Sequence, residues 1–121
     1  MNYCPTEEEE QAAVFRWAEL MSGQHPELQL LMHIPNGGYR HPATAARMKA
    51  QGVKAGVPDI FLPVPRDGFH GLWIEMKRVK GGKVSPEQKE WIEILNSYGY
   101  FAIVCRGADE AIHALEVYFG I

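Results

Sequence analysis

The sequence predicts an α/β fold, a mixed β-sheet flanked by helices, with elements in the order α-β-α-β-β-α-β-α. Three observations carry that expectation. Two apolar runs at 57–62 and 71–76 read as successive strands across a Pro-rich, charged connection. Apolar residues at helical spacing mark both ends of the chain. A strand–helix–strand passage in the last third implies a parallel pair in the sheet. With 121 residues and 46% hydrophobic content, the chain is expected to be a single domain, 1–121, with one core.

The elements follow in order. Thr6 with Glu9 fits a capping box, and Glu7, Glu8, Glu9 and Glu10 place negative charge at a helix N-terminus. Ala13, Val14, Trp17, Leu20 and Met21 continue that helix to about Ser22. Residues 28–34 form a short apolar segment expected as a strand, stopped by Pro35-Asn36-Gly37-Gly38. Residues 42–51 are expected as a short helix that packs through Ala43, Ala46 and Met48. The strands at 57–62 and 71–76 are joined by 63–68. A basic, glycine-containing loop at 79–84 leads to Ser85-Pro86-Glu87-Gln88, a helix start with a cap and proline at the first position. Trp91, Ile92, Ile94, Leu95 and Tyr98 supply its buried side. A strand at 100–105 and a helix at 107–119, buried through Ala111, Leu115 and Tyr118, close the chain. Trp17, Trp73 and Trp91 are read as core.

Composition narrows the function. No stretch approaches the roughly 18–20 apolar residues that span a bilayer, and the polar, acidic start is unlike a secretory signal. Cys4 and Cys105 lack metal-ligand spacing, so a cytoplasmic location in a reducing cytosol is expected, with Cys105 a buried small hydrophobe. The net charge is −3, yet residues 33–90 hold ten basic and five acidic side chains, a net of +5 against −8 for the two ends together. A locally basic middle is compatible with a polyanionic partner.

Inside that basic span lie Pro58-Asp59 and, sixteen positions on, Glu75-Met76-Lys77. Side chains alternate along a strand, so Glu75 and Lys77 share a face about 7 Å apart. If the strand carrying Asp59 lies alongside, two carboxylates and an ammonium converge, which is costly without a compensating partner. A structural Glu–Lys pair at a sheet end is one account. The other is a Mg²⁺ site formed by Asp59, Glu75 and the Met76 carbonyl, with Lys77 orienting or deprotonating a water or stabilising a phosphorane.

Pro58-Asp59 with Glu75-Met76-Lys77 resembles the PD-(D/E)XK nuclease signature, in which Asp and Glu hold the metal and Lys is catalytic. The stretches Pro35-Asn36-Gly37-Gly38, Gly52-Val53-Lys54-Ala55-Gly56-Val57-Pro58-Asp59 and Ser85-Pro86-Glu87-Gln88-Lys89 are similar to those of the VRR-NUC branch, the virus-type replication–repair nuclease module. The resemblance covers nearly the whole chain and is to the stand-alone phage and bacterial members. It implies a restriction-endonuclease-like core and a Mg²⁺- or Mn²⁺-dependent DNA endonuclease acting on branched DNA such as four-way (Holliday) junctions. A homodimer is implied too, with no membrane and no small-molecule cofactor.

Residue by residue, the resemblance implies metal ligands at Asp59, Glu75, Met76 and, on the first helix, Glu7, one turn from Gln11; Glu10 is a rival for that place. It turns Gln88 toward the active site and sets the loop of Asn36 near the metal or the DNA backbone. Arg40, Lys54, Arg78, Lys80 and Lys83 are the candidates for phosphate contacts. A catalytically silent DNA-binding module, and a nuclease acting on RNA or in restriction-like defence, are the alternatives. The intact trio of Asp59, Glu75 and Lys77 counts against the first.

Overall fold

Thr6 starts the first helix by the reciprocal bonds its sequence implies: its hydroxyl accepts from the Glu9 N–H at 3.1 Å, and Glu9 accepts from the Thr6 N–H at 3.0 Å. Helix α1 then spans Glu7–Met21. The structure, a computed structural model, describes residues 3–35 and 41–121. The remaining elements are a 3-10 helix at Pro26–Leu30, β1 at Met32–His33, α2 at Pro42–Ala50, β2 at Ile60–Leu62, β3 at Leu72–Lys77, α3 at Pro86–Ser97, β4 at Phe101–Arg106 and α4 at Ala108–Phe119.

The four strands lie in the order β1-β2-β3-β4. β1 with β2 and β2 with β3 are antiparallel, and β3 with β4 is parallel, as the α3 crossover requires. The predicted mixed sheet flanked by helices is therefore the observed one. Alternation divides its residues between two faces. Ile60, Leu62, Leu72, Ile74, Met76 and Cys105 pack in one cluster with Val14 and Ala18 of α1 and Ala111, Leu115 and Phe119 of α4. Full burial of one such aliphatic side chain contributes about 1.5–3 kcal/mol, so this face anchors the sheet. Asp59, Phe61, Trp73, Glu75 and Lys77 take the other face, which α3 covers at the β3–β4 side.

Several expectations change. Residues 28–34 do not form one strand: Pro26 at the first helical turn presets a 3-10 helix that buries Leu28, leaving only Met32–His33 extended. The run at 57–62 becomes strand only from Ile60, because Pro58 has no N–H to give a ladder. Helix α2 forms, but buries none of its residues; Ala43 and Ala46 are exposed and Met48 is half-buried. On α3, Tyr98 is the C-cap residue and 72% exposed, and Ile94 is also exposed, so Leu95 is the residue buried there. The three tryptophans are half-buried; Trp17 packs against the core cluster, while Trp73 and Trp91 are not part of it. Both cysteines are free, and burial pushes the Cys105 thiol up to about 12, which suits a packing residue. Among the described residues no helix is long and apolar enough to cross a membrane.

Candidate active site

Asp59 reaches its place through a tight approach of 52–58 to α3. The Trp91 indole N–H donates to the Ala55 carbonyl at 3.1 Å. Gly56, at φ +88°, lies so close that a Cβ there would be 2.8 Å from the Glu87 carbonyl carbon. Only glycine suits both the angle and the space. Pro58 is buried, and Asp59 then stands immediately before β2. Its carbonyl accepts from the Ile34 N–H at 2.8 Å, and His33 Nδ1 lies 2.8 Å from the same oxygen. Its Oδ2 accepts from the Met76 N–H at 2.8 Å. A side chain thus supplies the acceptor that the strand lacks at its start.

The register sets the rest. One step beyond the Ile60–Ile74 pair, Asp59 faces Glu75 across β2 and β3. Because the Met76 N–H points to the β2 side, its carbonyl points there too. Glu75 is 1% exposed. Its Oε2 accepts from Gln88 Nε2 at 3.1 Å and lies 3.8 Å from Lys77 Nζ, itself buried. Its Oε1 is buried with no hydrogen-bond partner. Burial first, then the Asp59 carboxylate with which it can share a proton, raise the Glu75 carboxyl to about 9. Lys77 opposes that rise and Glu7 adds to it. Two carboxyls forced together in a dry place hold a proton between them unless a cation replaces it.

The donor set fits a hard divalent cation. It consists of oxygens only, one of them orphaned, and a Mg²⁺ ion takes one or two carboxylates with waters and phosphate oxygens completing its shell. Among the described residues no three His, Cys, Asp or Glu side chains gather at metal-holding distance. Glu7 acts on Glu75 through its charge alone. Glu10 is occupied elsewhere: its Oε1 accepts from the Ala108 N–H at 3.2 Å, capping α4, whose N-cap residue Gly107 has no side chain to offer.

Gln88 is built into two structures at once. Its Oε1 accepts from the Ser85 N–H at 2.8 Å, completing the α3 capping box, while its amide N–H reaches Glu75. The helix cap thereby fixes a neighbour of the buried carboxylate. Of the basic candidates, Lys54, Lys80 and Lys83 are exposed. Arg78 is half-buried and donates to the carbonyls of Cys4 at 3.1 Å and Pro5 at 3.4 Å, tying the N-terminal segment down. Asn36 and Arg40 lie outside the described residues.

Arg106 was not singled out by the sequence. It pairs in register with Lys77 and donates to the Gly82 carbonyl at 2.8 Å, holding the basic loop beside the site. A charge ending an apolar run, as Lys77 does, was its visible signal. A Cβ on Gly82 would lie 3.3 Å from the Lys77 Cβ, so this loop is the wall against the lysine stem.

The sequence model of the VRR-NUC domain matches residues 5–109. A solved structure described as a VRR_NUC domain protein is 34% identical, covering 98% of this chain and 91% of its own, with a TM-score of 0.84. No curated protein matches the chain. A family match over most of the sequence, joined to a likeness of fold across nearly all of it, establishes that this chain belongs to the VRR-NUC domain family.

Proposed function

We propose that this protein is a Mg²⁺- or Mn²⁺-dependent endodeoxyribonuclease that hydrolyses phosphodiester bonds in branched DNA. The observation that carries the reading is the buried Glu75 carboxyl beside Asp59, whose Oε1 no amide or ammonium of the described residues satisfies, in a pair of carboxyls that holds a proton when no cation is bound. Asp59, Glu75 and the Met76 carbonyl are the ligands, and Glu7 adds negative potential that favours a divalent ion. When bound, such an ion acidifies a water and offsets charge developing on phosphorus.

The chain's own groups do the remaining work. The Met76 N–H fixes Asp59, and Gln88 fixes Glu75, so both carboxylates are pre-oriented rather than ordered during the reaction. Lys77, whose ammonium lies 3.8 Å from Glu75, orients or deprotonates the attacking water or stabilises charge on the phosphorane. Lys54, Lys80 and Lys83, with Arg40, make backbone contacts to phosphates, which position the substrate without reading sequence. A chain of 121 residues has little surface for base readout, and a homodimer would bring two sites to two strands of a junction.

The test is cleavage of labelled duplex, single-strand, flap and four-way-junction DNA, and of RNA, in Mg²⁺, Mn²⁺ or EDTA. Metal-dependent cutting of DNA, strongest on the branched forms, is expected, and Asp59→Ala, Glu75→Ala and Lys77→Ala should each abolish it with circular dichroism unchanged. Equal cutting by the parent and all three variants removes the site assignment. Binding without cutting assigns a silent module, and cutting of RNA alone changes the substrate class.

A further inference from the structure

The face of β4 away from β3 carries a second feature. In a parallel ladder alternate residues point their peptide groups to the same neighbour. The Phe101 N–H bonds to Gly71 and the Gly107 N–H to Lys77, so Ala102, Val104 and Arg106 direct theirs outward. The fold covers two of these. Asn96 pairs with both groups of Ala102, donating to its carbonyl at 3.1 Å and accepting from its N–H at 2.9 Å. Glu110 accepts from the Arg106 N–H at 2.8 Å. Among the described residues nothing bonds to the outward groups of Val104. They open on a groove of about 590 Å³ between β4 and α4.

Phe101, Ile103, Val117 and Tyr118 give that groove an apolar lining, and Val117 is 58% exposed. Carboxylates stand at both ends: Asp109 and Glu110 where α4 begins, and Asp67 near Tyr118 where it finishes. DNA is repelled by such a rim. A second copy laid there in two-fold fashion would bring like carboxylates together. The chemistry that fits is a short extended segment with an apolar centre and a cation on either side.

We propose that the β4–α4 groove docks an extended peptide segment of a partner protein, with an apolar residue between two Lys or Arg residues. The segment runs parallel to β4, so that the N–H of the apolar residue bonds to the Val104 carbonyl and its side chain turns to the groove face, opposite the face that Val104 shares with Glu75. Such β-strand addition takes affinity from main-chain bonds and specificity from alternate side chains. Two cations four residues apart span about 13 Å, against about 17 Å for the five steps of β4 from Phe101 to Arg106, a difference the long stems of Lys or Arg can cover. The Asp59–Glu75 site faces α3, so the docked segment leaves it open.

The probe is a dye-labelled peptide of sequence Ser-Lys-Val-Leu-Val-Lys-Ser, titrated with the full chain and followed by fluorescence anisotropy. Saturable binding below about 1 mM is expected, weakened about tenfold or more by Val117→Asp, by Asp67→Lys with Asp109→Lys, and by N-methylation of the central Leu in the peptide. Val104→Pro should weaken it too, since it removes only an outward donor on an edge where proline is tolerated. Val117 and the peptide modification keep the test valid if that variant does not fold. No binding up to that concentration, equal binding of the peptide with Glu in place of Lys, or insensitivity to Val117→Asp overturns the proposal. A dimer in sedimentation that Val117→Asp dissociates overturns it in favour of a second copy. None of these readouts depends on cleavage, so failure here leaves the nuclease reading intact.

Discussion

Glu75→Gln should make the metal-free protein more stable as the pH rises, relative to the parent. The folded state holds the Glu75 carboxyl at about 9, against 4.5 for an ordinary glutamate. A raised folded pKa contributes stability that is fully present below 4.5 and is lost as pH climbs toward 9, because the unfolded chain releases the proton first. At pH 7 the difference accumulated over 2.5 pH units amounts to at most about 3 kcal/mol. Glutamine preserves the shape and an acceptor for Gln88 but carries no titrating proton. The two proteins should therefore match near pH 4.5 and diverge by up to about 1.4 kcal/mol per pH unit above it. Urea unfolding at pH 5, 6, 7 and 8 in about 1 mM EDTA measures this. Asp59→Asn should lessen the slope without abolishing it, because burial, the first cause of the Glu75 rise, remains when the neighbouring charge is gone. Adding Mg²⁺ should raise the stability of the parent most at high pH, where binding no longer has to expel a proton, and should leave Glu75→Gln unmoved. Parallel pH profiles for parent and variant would refute the account of Glu75 as a neutral, cation-accepting carboxyl.

Glu10→Ala should cost about 1 kcal/mol in thermal or urea unfolding by uncapping α4, while metal-dependent cutting persists; Glu7→Ala should instead raise the Mg²⁺ concentration needed for half-maximal cutting. Gly56→Ala should destabilise the fold by about 2 kcal/mol or more, read as a lower melting temperature, because Cβ meets the Glu87 backbone at a positive φ. Arg78→Ala should lower the melting temperature through its lost bonds to Cys4 and Pro5 yet leave the salt dependence of DNA binding nearly unchanged. Lys80→Ala and Lys83→Ala should each reduce that salt slope by about one, as titration of labelled DNA at several salt concentrations will report.

Local rules acted where neighbours in sequence are neighbours in space. Thr6 with Glu9 and Ser85 with Gln88 form the boxes their spacing implies, so the starts of α1 and α3 were legible. Periodicity likewise located β3, and with it the shared face of Glu75 and Lys77. Residues 28–34 misled because their apolar content suits a strand as well as a turn of helix, and Pro26 settled the matter from outside the segment. Helix α2 misled for the converse reason: helical spacing does not say whether anything lies opposite the apolar side.

The sequence by itself determined the α/β order, the family, and the chemical identity of the carboxylates and lysine, since those depend on residue type and short spacing. Tertiary structure alone decided that Glu10, the rival to Glu7 in the run at 7–10, is spoken for. Glu10 is bound to a helix 98 positions away, and no local pattern encodes that. It also decided that Arg78 anchors the N-terminal segment, that Gln88 reaches Glu75, and that one oxygen of Glu75 is left without a partner. The physical reason is the same in each case. Burial and hydrogen-bond partners are properties of packed elements, and residues far apart in the chain acquire them only when the sheet and its helices close around them.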